Sequence, residues 1–138
     1  MRLWHKDLIQ VLPRQQLLSQ WRECCCIARN IAINGTPNHI LVNKILDYPS
    51  SQFNVYTKAV YDEMLKRGYR CDWMKFRKWW INRNYDWELK DCFPRWHTDR
   101  YLLQNLFNLQ EKYDCDGISY EEWKPIEKLL DNILKEWI

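Results

Sequence analysis

The fold is decided by residues 13–35, whose sequence is PRQQLLSQWRECCCIARNIAING. Pro13 suits the first position of a helix and Gly35 ends it. Between them, apolar residues recur at the three- and four-residue spacing of one helix face: Leu17, Leu18, Trp21, Cys25 and Ala28. This stretch therefore predicts a long amphipathic helix that buries one side.

Helix signals also dominate the rest of the chain. Further helices are predicted over residues 50–67, 73–82, 98–113 and 119–137. Each begins beside a residue whose side chain accepts hydrogen bonds from a first helical turn: Ser50 or Ser51, Asp72, Thr98 and Ser119. We therefore expect an all-α, compact single domain over residues 1–138, with three main helices, one or two short helices and an extended N-terminal segment packed between helices.

Composition indicates a soluble protein. The chain has 138 residues, enough for one core, with no run of 18 apolar residues and no secretory signal pattern. Its six cysteines include three in a row and no C-x-x-C spacing, which fits a reducing cytosol. We expect a cytoplasmic, nucleoid-associated protein without cofactor or metal, and a zinc site built from these cysteines with His39 and His97 is disfavoured.

Charge is unevenly distributed along the chain. Residues 1–100 hold 17 Lys and Arg against 10 Asp and Glu, whereas residues 101–138 hold 4 against 8. A basic body with an acidic C-terminal helix favours an anionic partner, nucleic acid first, although a mildly basic soluble surface has the same composition.

Two short motifs suggest chemistry. The chain begins Met1-Arg2-Leu3-Trp4, and Arg2 is too large for ordinary removal of the initiator Met, so we expect a free α-amine on Met1. An α-amino group loses its proton about 2.5 pH units below a lysine side chain, so at neutral pH it is the better nucleophile. Arg22-Glu23 places a carboxylate beside a guanidinium on the first helix, as imine chemistry on a sugar would need.

These residues resemble the phage endonuclease V-like family of pyrimidine-dimer DNA glycosylases. The resemblance is carried by Leu8, Leu12, Gln15, Leu17 and Arg22-Glu23, and by Glu63–Tyr69 at a helix end. It implies that the Met1 amine attacks the sugar C1′, expels the base and forms an imine, while Glu23 stabilises the cationic sugar and assists β-elimination. It also implies that Arg22 and Arg2 hold backbone phosphates.

Further DNA contacts are predicted on one face of the first helix and in the segment 75–83. Arg14, Arg22 and Arg29 lie about two turns apart on the first helix. The segment 75–83 interleaves cations with aromatics, so Lys78 and Trp79 are candidates to grip phosphate and stack on a base. The alternative is that the tryptophans and phenylalanine of this region belong to the core, Trp73, Phe76 and Trp80 by their spacing, and that the cations form a solvated helix edge.

Two more contact residues come from the resemblance. His39 and Lys112 stand where the family has a His and a basic residue; the alternative for His39 is a structural histidine. The family's aromatic, lysine-bearing tail is here the acidic stretch Tyr120–Pro125, so the resemblance does not fix the lesion.

The sequence therefore predicts a DNA glycosylase with β-elimination lyase activity on a damaged or modified pyrimidine, pyrimidine dimers included. Its partner would be double-stranded DNA with a lesion or abasic site, with no membrane involved, and a monomer is the default. A non-catalytic nucleic-acid-binding module of the same fold is the alternative, and a protein-interaction domain that uses exposed tryptophans is a third reading.

Overall fold

The computed structural model describes residues 1–81 and 88–137, with the side chain of Trp137 outside the description. Within these ranges five α-helices follow one another: α1 (Arg14–Asn34), α2 (Ser50–Lys66), α3 (Met74–Trp80), α4 (Asp99–Asp114) and α5 (Tyr120–Trp137). Two short 3-10 helices precede α1 and α2, at Lys6–Val11 and Asn43–Asp47. The described residues contain no strand, which confirms the all-α class, and four of the five α-helices are long.

The predicted helix ends are confirmed where a local hydrogen bond fixes them. Gly35 adopts a left-handed conformation (φ 75°) and its N–H donates to the Ile31 carbonyl, which closes α1. Thr98 accepts from the Tyr101 N–H and so caps α4. Asp72 accepts from the Met74 N–H at the start of α3. The described part of α3 ends at Trp80, and the predicted extension to Asn82 lies outside the described residues.

The prediction that Ser50 or Ser51 caps α2 was wrong. Ser50 is the first residue of α2 and the preceding Pro49 gives no side-chain cap, because the chain enters the helix directly from an extended proline. Ser119 and Glu122 do pair at the start of α5: the Ser119 hydroxyl oxygen accepts from the Glu122 N–H, and the hydroxyl donates to Glu122 Oε1, both at 3.2 Å. The other carboxylate oxygen, Oε2, accepts from the backbone N–H of Arg14, so Glu122 also ties α5 to the start of α1.

The helices form two groups joined by the N-terminal segment. α1 packs against α2 and α3, while α4 packs against α5, and the 3-10 helix Lys6–Val11 touches both α2 and α5. The segment before it is buried, with Leu3, Trp4 and His5 almost fully enclosed. This confirms the prediction of an extended N-terminus packed between helices. No helix among the described residues has the length and apolarity needed to span a membrane.

Aromatic side chains fill the contact between α1, α2 and α3. Phe53 of α2 meets Phe76 and Trp80 of α3 edge-on, at ring centroid distances of 5.5 and 5.1 Å. Trp73 packs against Trp21 of α1 at 6.3 Å. Three of the aromatics of segment 73–80 therefore belong to the core or its edge, which fixes α3 against the helix that carries Glu23.

Candidate active site

The extended residues 1–5, called the N-terminal strand below although they pair with no β-strand of the described chain, are held by a buried glutamine of α1. Gln20 is fully buried, and its Oε1 accepts from the Trp4 N–H at 2.8 Å while its Nε2 donates to the Arg2 carbonyl at 3.0 Å. The hydroxyl of Tyr56, from α2, donates to the Trp4 carbonyl at 2.5 Å. These three backbone groups of the strand are thus satisfied by side chains, as buried backbone requires.

Helix α4 holds the same strand from the other side. The Tyr101 hydroxyl donates to the Leu3 carbonyl at 2.6 Å, and the His5 N–H donates to Asn105 Oδ1 at 2.9 Å. Burial raises the pKa of Tyr101, so its phenol stays protonated and remains a donor. The chain start is therefore fixed by α1, α2 and α4 together.

This arrangement brings Met1 and Glu23 to one cleft. The cleft has a volume of about 260 Å³ and is lined by seven residues: Met1, Arg2, Trp4, Gln15, Gln16, Ser19 and Glu23. The Arg2 N–H donates to Glu23 Oε2 at 3.3 Å, and the Arg2 guanidinium lies over the Trp4 ring, 5.0 Å from its centroid. Met1 is 40% exposed. Met1 and Glu23 thus both line one open, polar-lined cleft.

Three other potential nucleophiles of the described chain are occupied or unreactive. The Lys6 amine donates to Asp91 Oδ1 at 2.6 Å and to the Cys92 carbonyl at 2.7 Å, so it is engaged as an ammonium. Burial raises the pKa of the Cys25 thiol to about 12 and that of Cys92 to about 12, which keeps both as thiols at neutral pH. Among the described residues, no group of three or more His, Cys, Asp or Glu is placed to hold a metal ion.

Two buried histidines, His5 and His97, lie next to each other where the N-terminal strand ends. The rings of His5 and His97 stack with centroids 5.1 Å apart. His5 Nδ1 accepts from the Asp7 N–H and His97 Nδ1 accepts from the Lys6 N–H, so each ring carries its proton on Nε2. Burial lowers the pKa of both, that of His97 to about 2, so both are neutral supports of the strand.

The predicted DNA contacts fall into several places. On one side of α1, the Arg29 guanidinium and the Lys78 amine both lie over the half-buried Trp79 ring, 5.8 and 5.5 Å from its centroid. Arg22 is exposed on α1 next to Glu23. The structure thus brings Arg29, Lys78 and Trp79 into one cluster. The remainder of the basic segment, from Asn82 to Arg83, lies outside the described residues.

The remaining candidates stand apart from this cluster. Arg14 lies over the Tyr69 ring, 5.7 Å from its centroid, in a second cleft of about 350 Å³ that Glu122 also lines. Lys112 is exposed in the last turn of α4. His39 is half-buried in the α1–α2 connector, where its Nδ1 accepts from the Leu41 N–H at 3.3 Å. Its Nε2 is then the ring nitrogen left to donate to a phosphate.

Sequence reasoning missed the residues that position the strand. Gln20 carried a signal, because it is a polar residue at helical spacing between the buried Leu17 and Cys24. His5, His97 and Tyr101 carried none, since their contacts join residues more than 90 positions apart.

The comparisons with known proteins show the family of this chain. The family model of the pyrimidine dimer DNA glycosylases matches residues 1–77, more than half of the chain. No curated protein and no solved structure gives a significant match. The chain belongs to the pyrimidine dimer DNA glycosylase family, a class of enzymes that act on DNA.

The family match covers only part of the site. It includes the N-terminal strand, α1 and Glu23, but ends before Lys78, Trp79 and all of α4. The α4 residues that hold the strand, Tyr101 and Asn105, thus belong to the part of the chain that the match does not reach.

Proposed function

We propose that this protein is a DNA glycosylase with abasic-site lyase activity, in which the Met1 α-amine is the nucleophile. The nitrogen bonds to C1′ of the damaged nucleotide as the glycosidic bond breaks, and the base leaves with that bond's electron pair. Loss of the amine proton and opening of the sugar ring give an imine between Met1 and C1′. Glu23 stabilises the positive charge that develops on the sugar.

Strand cleavage follows from the same intermediate. The imine makes the C2′ proton acidic, and Glu23 takes that proton as general base. The C3′–O bond then breaks and the 3′-phosphate leaves, which is a β-elimination. The protonated imine is the electron sink, so the protein's own groups are sufficient for both steps.

The observation that carries this proposal is the position of Met1 and Glu23 on one open cleft. The strand that ends in Met1 is buried from Leu3 onward and fixed by Gln20, Tyr56 and Tyr101, so the amine is presented on a rigid support. The Arg2 N–H occupies part of the bonding capacity of the Glu23 carboxylate, which accepts several hydrogen bonds. The rest of that capacity is available to a sugar.

The basic residues around this cleft support a DNA substrate. We assign Arg2 and Arg22 to the phosphates that flank the reacting sugar, because a guanidinium binds phosphate through two parallel hydrogen bonds. Arg29 and Lys78, held over Trp79, extend a positive surface along α1 and α3. Arg14, His39 and Lys112 would contact DNA further from the reacting sugar.

The substrate we propose is a damaged or modified pyrimidine in duplex DNA, with pyrimidine dimers first because of the family. Since Met1 and Glu23 come from the same chain, the site is complete in one copy, and we propose a monomeric enzyme. Light scattering on the protein with and without duplex DNA tests this, with one protein per duplex expected.

Borohydride trapping on duplex DNA that carries a single abasic site tests the chemistry directly. Borohydride reduces an imine to a stable secondary amine, so the adduct survives denaturing gels. We expect wild-type protein to form an adduct that maps to Met1 by peptide mass, after intact mass has established that the α-amine is free. Selective acetylation of that amine should abolish trapping.

A contrary result distinguishes the alternative function. If wild-type protein binds the abasic duplex with steep salt dependence but forms no adduct, the chain is a binding module of this fold and the catalytic proposal fails.

A further inference from the structure

The connector between α1 and α2 displays two apolar side chains to solvent. Ile40 is 84% exposed and Leu41 is 49% exposed, and Leu46 on the following 3-10 helix is 48% exposed. Three large apolar side chains within seven residues form a cluster rather than scattered surface positions. No role in the folded core explains them.

The turn that carries Ile40 and Leu41 is rigid. The N–H groups of Val42 and Asn43 both donate to the His39 carbonyl, at 3.0 and 2.9 Å, and the Asn43 side chain accepts from the His39 N–H at 3.1 Å. Pro37 and Val42, on either side of the tip, are buried. The tip is therefore pre-organised, with its apolar side chains pointing away from its own anchors.

A cationic cleft adjoins this tip. It has a volume of about 420 Å³, and its lining includes Ile40 and Leu41 together with three cations, Lys44, Arg95 and Arg100. Arg95 is stacked over the Tyr48 ring, 5.1 Å from the centroid, which holds its guanidinium in place. Cations placed around an apolar tip match a partner that offers phosphates outside and stacked apolar surfaces inside, which is the arrangement of duplex DNA.

The cationic cleft and the Met1 cleft meet at the same strand. Tyr101 lines the cationic cleft and donates its hydroxyl to the Leu3 carbonyl, two residues from Met1. Burial raises the pKa of Tyr101, and the nearby positive charge of Arg2, which lines the Met1 cleft, offsets part of that rise. A duplex that presents a sugar to Met1 would thus extend over the cationic cleft.

We propose that Ile40 and Leu41 insert between neighbouring bases of the bound duplex and unstack them, while Lys44, Arg95 and Arg100 hold the adjacent phosphates. This inference rests on the proposed function, because it requires duplex DNA at the Met1 cleft. The inserted side chains open the stack beside the lesion, so the sugar can approach the amine. The three cations fix the register of the duplex and carry no base specificity.

The test compares the double variant Ile40→Ala/Leu41→Ala with Leu65→Ala. Leu65 is 46% exposed near the end of α2, so the control removes a similar exposed side chain elsewhere. The first readout is fluorescence of 2-aminopurine placed beside an unreactive tetrahydrofuran abasic site. Wild-type protein and Leu65→Ala should raise the fluorescence equally, and the double variant should abolish most of that rise.

A second readout separates unstacking from chemistry. Borohydride trapping on duplex abasic DNA should slow about tenfold in the double variant, as expected for one lost stacking-sized contact. Trapping on a single-stranded abasic oligonucleotide, which has no duplex stack to open, should be unchanged. The triple variant Lys44→Gln/Arg95→Gln/Arg100→Gln should lower the slope of log K against log salt by about three.

The outcomes also distinguish this proposal from the proposed function. If wild-type protein traps abasic DNA but the double variant gives the same 2-aminopurine signal and the same duplex rate, the insertion proposal is overturned while the glycosylase proposal stands. If neither the wild-type protein nor any variant traps duplex or single-stranded abasic DNA, the proposed function itself is wrong. Binding of the tip to a protein or vesicle with no effect on DNA would likewise overturn the insertion proposal.

Discussion

The backbone N–H of Arg2 donates to the carboxylate of Glu23 at 3.3 Å, across 21 positions of sequence. Arg2 is the residue next to Met1, so this hydrogen bond ties the proposed general base to the strand that bears the proposed nucleophile. The bond is made by the backbone, and any residue except proline at position 2 would keep the N–H that donates it. The register between amine and carboxylate therefore depends on the fold of the strand and α1.

Glu23→Gln should abolish chemistry while DNA binding persists. The amide oxygen can still accept from the Arg2 N–H, so the geometry is kept, but the negative charge and the proton acceptor are lost. We expect the single-turnover rate on abasic duplex to fall at least about 100-fold, the usual scale of losing a positioned acid–base group. Glu127→Gln, an exposed glutamate of α5, is the matched control and should react at the wild-type rate. A rate loss below about threefold in Glu23→Gln would remove Glu23 from the mechanism.

Gln20→Leu should displace the Met1 amine and so slow trapping by more than its loss of stability alone would. The substitution leaves the Trp4 N–H and the Arg2 carbonyl without buried partners, at a cost of about 2–4 kcal/mol in the free energy of unfolding. Tyr56→Phe removes the α2 hydroxyl that bonds the Trp4 carbonyl and Gln20 Oε1, but it keeps both Gln20 hydrogen bonds to the strand. Urea unfolding and single-turnover trapping of the two variants make the comparison. For a given loss of stability, we expect trapping by Gln20→Leu to be slower than trapping by Tyr56→Phe. Equal trapping rates in the two variants would mean that Gln20 has only a structural role.

The helical frame was predictable because its signals are local. The apolar spacing of residues 13–35, the left-handed Gly35 and the Thr98 cap each act within one or two turns, so the sequence contains them directly. The prediction that Ser50 caps α2 was wrong for an equally local reason, because Pro49 occupies the capping position. Packing between helices then decided what the spacing left open, including that Arg14 lies over Tyr69 and Arg29 over Trp79.

The site was only half predictable. The resemblance pointed to Met1 and Glu23, and the fold places both on one cleft. The residues that hold the N-terminal strand in place could not be predicted, because Tyr101 and His97 contact it across more than 90 residues of sequence. A lone histidine in a sequence does not reveal whether it is buried. The cationic cleft was missed likewise, since Lys44 and Arg95 are brought together by tertiary packing.

Arg22 and Arg29 should each contribute one phosphate contact. Replacement of either by Gln keeps much of the side chain and removes the charge. We expect the slope of log K against log salt for duplex binding to fall by about one for each variant, with little dependence on DNA sequence. Lys128→Gln, on the exposed face of α5, is the control and should leave the slope unchanged. Binding titrations at several salt concentrations provide the slopes. Variants that keep the wild-type slope would place the DNA on another face of α1.

The buried His97 should make the protein less stable as pH falls below neutrality. Burial lowers the pKa of His97 to about 2 in the folded protein, against 6.5 ordinarily, so between these values the unfolded chain binds a proton that the folded chain does not. The free energy of unfolding therefore decreases as pH falls, by about 2 kcal/mol between pH 7 and pH 5 from this residue. His5, whose pKa is also lowered by burial, acts in the same direction.

His97→Gln isolates this contribution. The glutamine amide oxygen can still accept from the Lys6 N–H, but the side chain does not titrate. Urea unfolding at pH 7, 6 and 5 should show a steep loss of stability in the wild type and a shallower loss in the variant, even if the variant is less stable at pH 7. Parallel pH dependences in the two proteins would contradict a neutral, buried His97, because protonation of the folded state would then occur as readily as in the unfolded chain.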